Sequence, residues 1–354
     1  MNPITPNILG LGTAAPEAST SSEEALSFFV DHHDEAAANR ARNLYRNAGV
    51  DQRGCVLGLE RMRSEIMGPE EHGASTSQRL RHFMPNAVPL GQQAASTALA
   101  QAQCSPTSIT HLVTVSCTGA ESPGIDHQLI DLLGISPNVS RTHIGFMGCH
   151  AAINALAMGS AFVRADPQSV VLVVCVELCS LHLQVGKTSQ GQQTANAIFS
   201  DGAAAAVVGS RTGLCKITDF ASQIFPGTKD LMGWDIGDNG FQITLSPRVP
   251  VVIKRYISGW VDQWLSTHRL QSSDVTGWAV HPGGRDILEG VQKGLGLPDD
   301  SMAHSHRVLN QHGNMSSATT LWVLSELLQE VDSGPIVGLA FGPGLTGEAI
   351  LLNR

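Results

Sequence analysis

Two uninterrupted apolar runs constrain the fold of this chain more than any other feature. The segments SVVLVVCVEL (169–178) and GPIVGLAFG (334–342) lack the alternation of polar and apolar residues that a half-exposed strand shows. Strands of this kind are covered on both faces, usually by helices. The two runs therefore predict an α/β architecture with buried strands.

Helix-like patterns follow several other apolar strands and support this interpretation. They are HQLIDLLGI (127–135), RDILEGVQKGLGL (285–297) and SATTLWVLSELLQEV (317–331). The polar, glutamine-rich stretch LQVGKTSQGQQTAN (183–196) is predicted to be a loop within a domain and not a boundary between domains.

A doubled fold would show two similar strand endings, and the chain contains such a pair in DGAAAAVVG (201–209) and AFGPGLTGEAILL (340–352). An apolar strand ends at Gly209, and the boundary is placed directly after it. The chain is therefore divided into an N-terminal half, residues 1–210, and a C-terminal half, residues 211–354.

Charge and cysteine content argue against several classes of protein. Lys and Arg number 22 against 31 Asp and Glu, a net charge of −9 that disfavours nucleic-acid binding. Only 15% of the residues are charged, so many residues are expected to be buried in the interior or in a subunit interface. Seven cysteines, several in apolar runs, indicate a reducing cytoplasm and no disulfide framework. Neither a targeting signal nor membrane insertion is expected.

Cys149 is the first candidate for a chemical role. It falls between an apolar piece that reaches Gly148 and an alanine-rich helical pattern that begins near Ala151. A thiol at a helix start meets unpaired amides and the positive end of the helix dipole, which favour the thiolate and lower its pKa. The alternative, a small buried hydrophobic residue, stays open on this observation alone.

His281 and Asn314 are two further candidates. His281 directly follows a short apolar strand, at the end where α/β folds place sites, and Asn314 stands before a serine-rich helix start. The alternatives are one more surface or core histidine and a capping or turn asparagine. Together, a Cys, a His and an Asn form a set suited to thiolate catalysis with stabilisation of an oxyanion.

Seven motifs, in order along the chain, resemble those of bacterial type III polyketide synthases in the chalcone synthase superfamily. They are CTGAESPGID (117–126), GFMGCHAAINAL (145–156), FSDGAAAAVVG (199–209), MGWDIGDNGFQITLSPRVP (232–250), AVHPGGRDIL (279–288), HGNMSSAT (312–319) and FGPGLTGEAI (341–350). The resemblance implies a thiolase fold, two pseudo-symmetric α/β halves in a five-layer arrangement, and a cytoplasmic homodimer.

The family's catalytic residues fall on Cys149, His281 and Asn314. The resemblance implies that an acyl-CoA starter is extended with malonyl-CoA by decarboxylative Claisen condensation. The chain would then cyclise to a pyrone or resorcinol-type aromatic product. CoA thioesters are the expected substrates, and no cofactor is expected.

The same resemblance implies pocket residues and residues that bind CoA. The pocket positions fall on Cys117, Cys179, His182, Phe199, Ile243 and Ser316, and the CoA phosphates are expected near Arg40, Arg42, Arg46 and Arg53. Ile243 stands where plant members carry Phe, so the pocket is expected to widen there. We therefore expect aliphatic acyl-CoAs to be better starters than 4-coumaroyl-CoA, with malonyl-CoA as its own starter the alternative.

Several other functions fit parts of the sequence. A ketoacyl synthase III-like enzyme that makes one condensation and a non-catalytic thiolase-fold partner subunit are the nearest alternatives. GPGLTG (342–347) matches the dinucleotide-binding GxGxxG pattern, but Pro343 interrupts it and no helix pattern follows. CVELC (175–179) with His182 lacks the second cysteine pair of a metal site, so no metal is expected.

Overall fold

Nine strands form one mixed sheet, which dominates the fold. The computed structural model describes residues 4–30, 35–68, 72–184 and 189–354. Across the sheet the strand order is β11-β12-β13-β8-β1-β7-β6-β4-β5, while β9 pairs with β10 and β2 with β3. The strands are β1 (Asn7–Ala14), β2 (Ser19–Ser21), β3 (Gln52–Gly54), β4 (His111–Ser116), β5 (Ser140–Gly145), β6 (Val171–Leu178), β7 (Asp201–Gly209), β8 (Cys215–Ile224), β9 (Met232–Gly237), β10 (Gly240–Leu245), β11 (Gly277–Val280), β12 (Pro335–Gly342) and β13 (Thr346–Asn353).

The helices of the described residues lie on both faces of this sheet. They are α1 (Ser22–Val30), α2 (Glu35–Asn47), α3 (Gly58–Arg61), α4 (Thr76–Leu80), α5 (Phe83–Gln101), α6 (Ile125–Leu133), α7 (Ala151–Ala165), α8 (Gln190–Ile198), α9 (Val249–Thr267), α10 (Arg285–Leu295), α11 (Ala303–His312) and α12 (Thr319–Glu330). None of the helices described is long and apolar enough to cross a membrane.

The sheet repeats one pattern of strand pairing in its two halves. In the first half β1 pairs antiparallel with β7, β7 antiparallel with β6, and β6 parallel with β4. In the second half β8, β13, β12 and β11 repeat the same sequence of antiparallel, antiparallel and parallel pairs. The halves join through a short antiparallel pairing of β1 with β8. This repeat is the pseudo-symmetry expected of the thiolase fold.

Strand alternation divides the core into separate layers. In β6, Val171, Val173 and Cys175 belong to the core shared with α7 and α12, whereas Leu172 and Val174 face the core beneath α5 and α6. Side chains of β12 divide in the same way between the α7–α12 core and the core beneath α9 and α10. Because successive side chains of a strand point to opposite faces, the two uninterrupted apolar runs are buried on both. The result is the five-layer α/β arrangement that the family resemblance implies.

One predicted loop is a helix in the structure. Within the stretch 183–196, residues 185–188 lie outside the described residues, but α8 begins at Gln190. Ser189 caps the helix, since its hydroxyl accepts a hydrogen bond from the Gln192 backbone N–H at 3.1 Å. The prediction was wrong because the polar side chains Gln192 and Asn196 are buried, which reverses the usual relation between polarity and exposure.

Candidate active site

Cys149 lies in a tight turn, Gly148–His150, between β5 and α7. Gly148 has a φ of +76°, and a Cβ at that position would come within 2.5 Å of Pro343 Cδ. Only glycine tolerates both conditions, so Gly148 allows the Cys149 turn to pack against the end of β12. The strand-to-helix elbow inferred from the sequence is present in the structure.

Asn314 is held by backbone hydrogen bonds on both sides of Phe199. Its N–H donates to Ile198 O at 2.8 Å, and its carbonyl accepts from Ser200 N at 2.9 Å. The side-chain Oδ1 accepts from Ser316 N at 2.8 Å, which fixes the amide orientation because a backbone N–H requires an oxygen there. The Nδ2 group is therefore available to donate, and the Asn314 side chain lowers the pKa of Cys149.

Ser316 connects two thiols of the site. Its Oγ lies 3.6 Å from Cys149 Sγ and 3.5 Å from Cys117 Sγ. Ser316 has a φ of +45°, a conformation that residues other than glycine rarely adopt. This strained backbone places its hydroxyl between the two sulfur atoms.

His281 follows β11 directly, as the sequence indicates, and it is almost completely buried. Its N–H donates to Leu339 O at 2.7 Å, which fixes the backbone. Both imidazole nitrogens lack a hydrogen-bond partner in the described part of the chain. No hydrogen bond between described residues therefore joins His281 to Cys149. Burial, together with the nearby His150, lowers the pKa of His281 to about 3. The ring is therefore neutral at physiological pH.

The thiol of Cys149 does not have the lowered pKa expected from its position before a helix. Burial raises the pKa of Cys149 to about 12, and hydrogen bonds with Ser316 and Asn314 only partly oppose this. The cost of removing a thiolate from water exceeds what the helix start supplies. Without a substrate, Cys149 is a thiol and His281 a neutral imidazole.

Glu177 is a buried group of this site that the sequence analysis missed. One carboxylate oxygen accepts from Thr118 Oγ1 at 2.7 Å and the other from Ser317 Oγ, while the Cys117 N–H also donates to the carboxylate. Burial raises the pKa of Glu177 in spite of these hydrogen bonds. The available signal is an acidic residue inside the apolar run CVELC (175–179). The described residues contain no cluster of three or more potential metal ligands.

An apolar cavity of about 1070 Å³, including its open mouth, borders Cys149. All six predicted pocket residues line it: Cys117, Cys179, His182, Phe199, Ile243 and Ser316. The cavity extends to Ala25, Phe28 and Met62. His281 and Asn314 are not part of its lining.

Three stacked rings, which we call the aromatic wall, border this cavity. His182 stacks on Phe241 with centroids 3.8 Å apart, and Phe241 stacks on Trp234 at 5.0 Å. The Nε2–H of His182 donates to Thr118 O at 2.7 Å. Burial lowers the pKa of His182 to about 4, so this ring is also neutral. The wall thus presents flat, uncharged surfaces.

The four predicted CoA-binding arginines do not share one environment. Arg40 and Arg46 are exposed on α2, and Arg42 is half-buried. Arg53 differs, because the pairing of β3 with β2 turns it inward, where it lines the apolar cavity. Its guanidinium donates to Asn196 O and Ser22 Oγ. The structure thus does not support Arg53 as a surface ligand for phosphates.

A second cavity, of about 820 Å³ with its open mouth, lies between α2 and the start of α10. Its lining includes Asn47, Gly283, Gly284 and Arg285. A Cβ on Gly283 would lie 3.6 Å from the imidazole of His281, so one residue of this lining is adjacent to that ring. The sequence analysis did not single out Arg285, because a lone arginine after a glycine turn carries no specific signal.

Comparisons with known proteins match the whole chain. The family model described as chalcone and stilbene synthases, N-terminal domain, matches residues 4–212, and the corresponding C-terminal model matches residues 216–354. "Alpha-pyrone synthesis polyketide synthase-like Pks18" of Mycobacterium tuberculosis is 31% identical over 358 residues, 98% of this chain and 90% of that protein. "Polyketide synthase 37" of Dictyostelium discoideum is 34% identical over 325 residues, 88% of this chain, but this chain spans only 11% of its length. The crystal structure of PKS-I from the brown alga Ectocarpus siliculosus has a TM-score of 0.91 at 32% identity and covers 100% of this chain and 99% of its own.

Proposed function

The chain belongs to the chalcone and stilbene synthase family and is a type III polyketide synthase, an acyltransferase, and from that premise we propose that Cys149, His281 and Asn314 are its catalytic residues. We call these three the catalytic corner. The observation that carries the proposal is the pair of unpartnered, buried imidazole nitrogens of His281. Buried polar atoms are nearly always paired, so such atoms call for a partner that the substrate supplies.

In the loading step, Cys149 attacks the carbonyl carbon of an acyl-CoA starter. His281 takes the thiol proton, the carbon–sulfur bond to CoA breaks, and the proton leaves with the CoA thiol. The tetrahedral oxyanion is stabilised by the Asn314 amide and the His281 ring as hydrogen-bond donors. Oriented donors of this kind are supported by the hydrogen bond from Ser316 N that fixes the Asn314 amide.

In the extension step, malonyl-CoA loses carbon dioxide and becomes an enolate in the same corner. The enolate oxygen needs the same donors as the earlier oxyanion, so one site serves both steps. The enolate carbon then attacks the Cys149 thioester, and a new carbon–carbon bond replaces the bond to sulfur. This chemistry requires no metal, nicotinamide or flavin, and CoA thioesters enter as substrates.

We assign the second cavity to the CoA arm. Its lining includes Gly283, which is next to His281, and the start of α10 with Arg285. The first turn of a helix attracts anions, and the exposed Arg46 and Arg40 on α2 add positive charge. An Arg46→Ala variant should raise KM for acyl-CoA and leave kcat nearly unchanged. An unchanged KM would remove α2 from this assignment.

The apolar cavity supports an aliphatic starter and a pyrone or resorcinol-type product. Its extension past Cys55 to Ala25, Phe28 and Met62 offers apolar contacts to a methylene chain. The printed name of the Mycobacterium tuberculosis relative connects that protein with α-pyrone synthesis.

We also propose a cytoplasmic homodimer in which residues 1–210 and 211–354 form the two thiolase-like halves. The large side chains Phe146, Met147 and Leu132 are 58%, 40% and 51% exposed, and Phe146 and Met147 stand directly before the nucleophile turn. Apolar groups of this size are typical of a covered face. Seven free thiols support a reducing compartment. Light scattering at micromolar concentration would contradict the dimer by giving the mass of one chain.

Intact-mass spectrometry tests the proposed function. Incubation with hexanoyl-, dodecanoyl- or hexadecanoyl-CoA should give a covalent adduct of the acyl mass, and adding malonyl-CoA should release carbon dioxide and a cyclised product. No adduct with any of these acyl-CoAs would contradict the proposal. Extension only from malonyl groups on an acyl carrier protein would point to a ketoacyl synthase III-like enzyme instead.

A further inference from the structure

Four polar side chains form a connected network beside the aromatic wall. They are Arg79, Gln184, Gln192 and Asn196, and we call them the rear network. Gln192 and Asn196 reach the cavity lining, whereas Arg79 and Gln184 lie behind it. None of the four has a role in the chemistry proposed above. Buried polar groups are costly, so a network of this size needs a reason.

Arg79 fixes the backbone on both sides of His182. Its side chain is fully buried, and among the described residues it forms no ion pair with a carboxylate. Instead Nη1 donates to the carbonyls of Leu181 and Leu183, both at 2.8 Å, and Nε donates to Ala74 O at 2.7 Å. Burial lowers the pKa of Arg79 to about 10, which leaves the guanidinium charged at neutral pH. The cation therefore holds the turn that carries His182.

Gln184 connects this turn to the strand that carries Phe241. Its Nε2 donates to Asn239 O at 3.0 Å and lies 3.3 Å from Phe241 O. The contact is close, because a Cβ on Gly240 would lie 3.0 Å from Gln184 Nε2 and 3.1 Å from Arg79 Cδ. Two of the three rings of the aromatic wall are thus fixed from behind.

Gln192 and Asn196 extend these hydrogen bonds to Ile243. Gln192 Oε1 accepts from Ile243 N at 2.7 Å, and its Nε2 donates to Asn196 Oδ1 at 3.1 Å. Asn196 Nδ2 donates to Gln184 O at 2.8 Å. The segment with His182, the β9–β10 hairpin and α8 are therefore joined by side-chain hydrogen bonds, independently of the main sheet.

We propose that the rear network is a positioning system that fixes the aromatic wall and Ile243, and thereby sets the acyl chain length that the cavity accepts. Arg79 and Gln184 act through the lining, Gln192 and Asn196 also form part of it, and none of the four touches a reacting atom, so they are positioning residues. A difference of one methylene in an apolar pocket changes specificity by about 10- to 200-fold, so a small displacement of the wall matters. The inference rests on the proposed acyl-CoA chemistry.

Gln192→Met is the first test, because methionine fills a similar volume but offers no oxygen to Ile243 N. Loading of Cys149 is followed by intact mass with hexanoyl-, dodecanoyl- and hexadecanoyl-CoA. The ratio between the best and the worst chain length should fall about fivefold. Gln263→Met, at an exposed position on α9, is the matched control and should leave the ratios unchanged. A merely structural role would lower all three rates by one factor and keep their ratios.

A double-mutant cycle with Ile243→Phe makes the test sharper. If Gln192 holds Ile243 in place, the effect of Ile243→Phe on chain length should be much smaller in the Gln192→Met background. Additive effects would overturn the proposal. Arg79→Lys, which keeps the charge but cannot form the same fork of hydrogen bonds, should lie between wild type and Arg79→Met. If the Arg79 variants do not fold, the double-mutant cycle of Gln192 and Ile243 alone tests the proposal.

The outcomes separate this inference from the proposed function. A wild-type protein that loads no acyl-CoA contradicts the proposed function. If the wild-type protein loads acyl-CoAs and discriminates between their chain lengths, and Gln192→Met shows the same ratios between chain lengths, only the proposed role of the rear network is contradicted.

Discussion

The proposed catalytic corner and the rear network behind the aromatic wall use their buried polar atoms in opposite ways, although in the wall itself His182 Nδ1 also has no partner among the described residues. In the corner, His281 keeps two buried nitrogens without partners. Beside the wall, Arg79, Gln184, Gln192 and Asn196 each find protein partners, so the cavity meets mainly flat rings and aliphatic groups. A group that reacts must keep a hydrogen-bond donor or acceptor free for the substrate. A group that only holds the shape of the cavity can use all its donors and acceptors within the protein.

Removing the proposed nucleophile should give the largest effect and tests whether the chemistry depends on the corner. Cys149→Ala should abolish both the acyl adduct and product formation, since no other thiol lies in the same turn. Cys104→Ala, at a partly exposed thiol outside the cavity, is the control and should keep full activity. Polyketide synthesis by Cys149→Ala would show that the corner is assigned incorrectly.

Asn314→Ala should separate the two reactions of the corner. The amide donates to the enolate, so decarboxylation of malonyl-CoA should fall about 100-fold, as for loss of one oxyanion donor. Loading should fall by a smaller factor, because His281 still accepts the thiol proton and still donates to the oxyanion. Carbon dioxide release and adduct formation are measured separately, with Asn138→Ala at an exposed position as the control. Equal losses of rate in loading and in decarboxylation would contradict the prediction that Asn314 acts mainly in decarboxylation.

Ile243→Phe should change the wall and leave the corner intact. The larger ring narrows the cavity, so kcat/KM for hexadecanoyl-CoA should fall relative to hexanoyl-CoA by about tenfold. Ile236→Phe, at an exposed position of the same hairpin, should leave the profile unchanged. An unchanged profile for Ile243→Phe would remove this residue from the argument.

The smallest effect concerns stability, where corner and wall should behave alike. The pKa of His281 is lowered to about 3 and that of His182 to about 4 by burial. Below about pH 6.5 the unfolded chain binds protons that the folded protein refuses, so stability is full above that pH and falls as the pH decreases toward 4.

Each ring should contribute up to about 1.4 kcal/mol per pH unit to that slope. Urea unfolding at several pH values should show a smaller slope for His281→Gln and for His182→Gln, and an unchanged slope for the exposed His127→Gln. A variant slope equal to that of wild type would mean that the ring in question is already protonated in the folded state.

The buried strands and the positions of the three candidate residues could be predicted from the sequence because local patterns mark them. Uninterrupted apolar strands, and Cys149, His281 and Asn314 at strand ends or helix starts, are visible without knowledge of the tertiary structure. Arg53 and Glu177 could not be placed, since a charged side chain is normally exposed and only tertiary partners reveal its burial. The helix α8 was missed for the same reason, because its polar side chains face inward.

The hydrogen bonds from the Asn314 backbone to Ile198 and Ser200 restrict how this enzyme can diversify. Phe199 lies between these two anchors, so a change that moves its backbone also moves the amide beside the thiol. Ile243 has no such tie to the corner and is held through Gln192 instead. New products should therefore arise in evolution by substitution at Ile243 before Phe199, because a lineage that changes the first can keep its rate while a lineage that changes the second cannot.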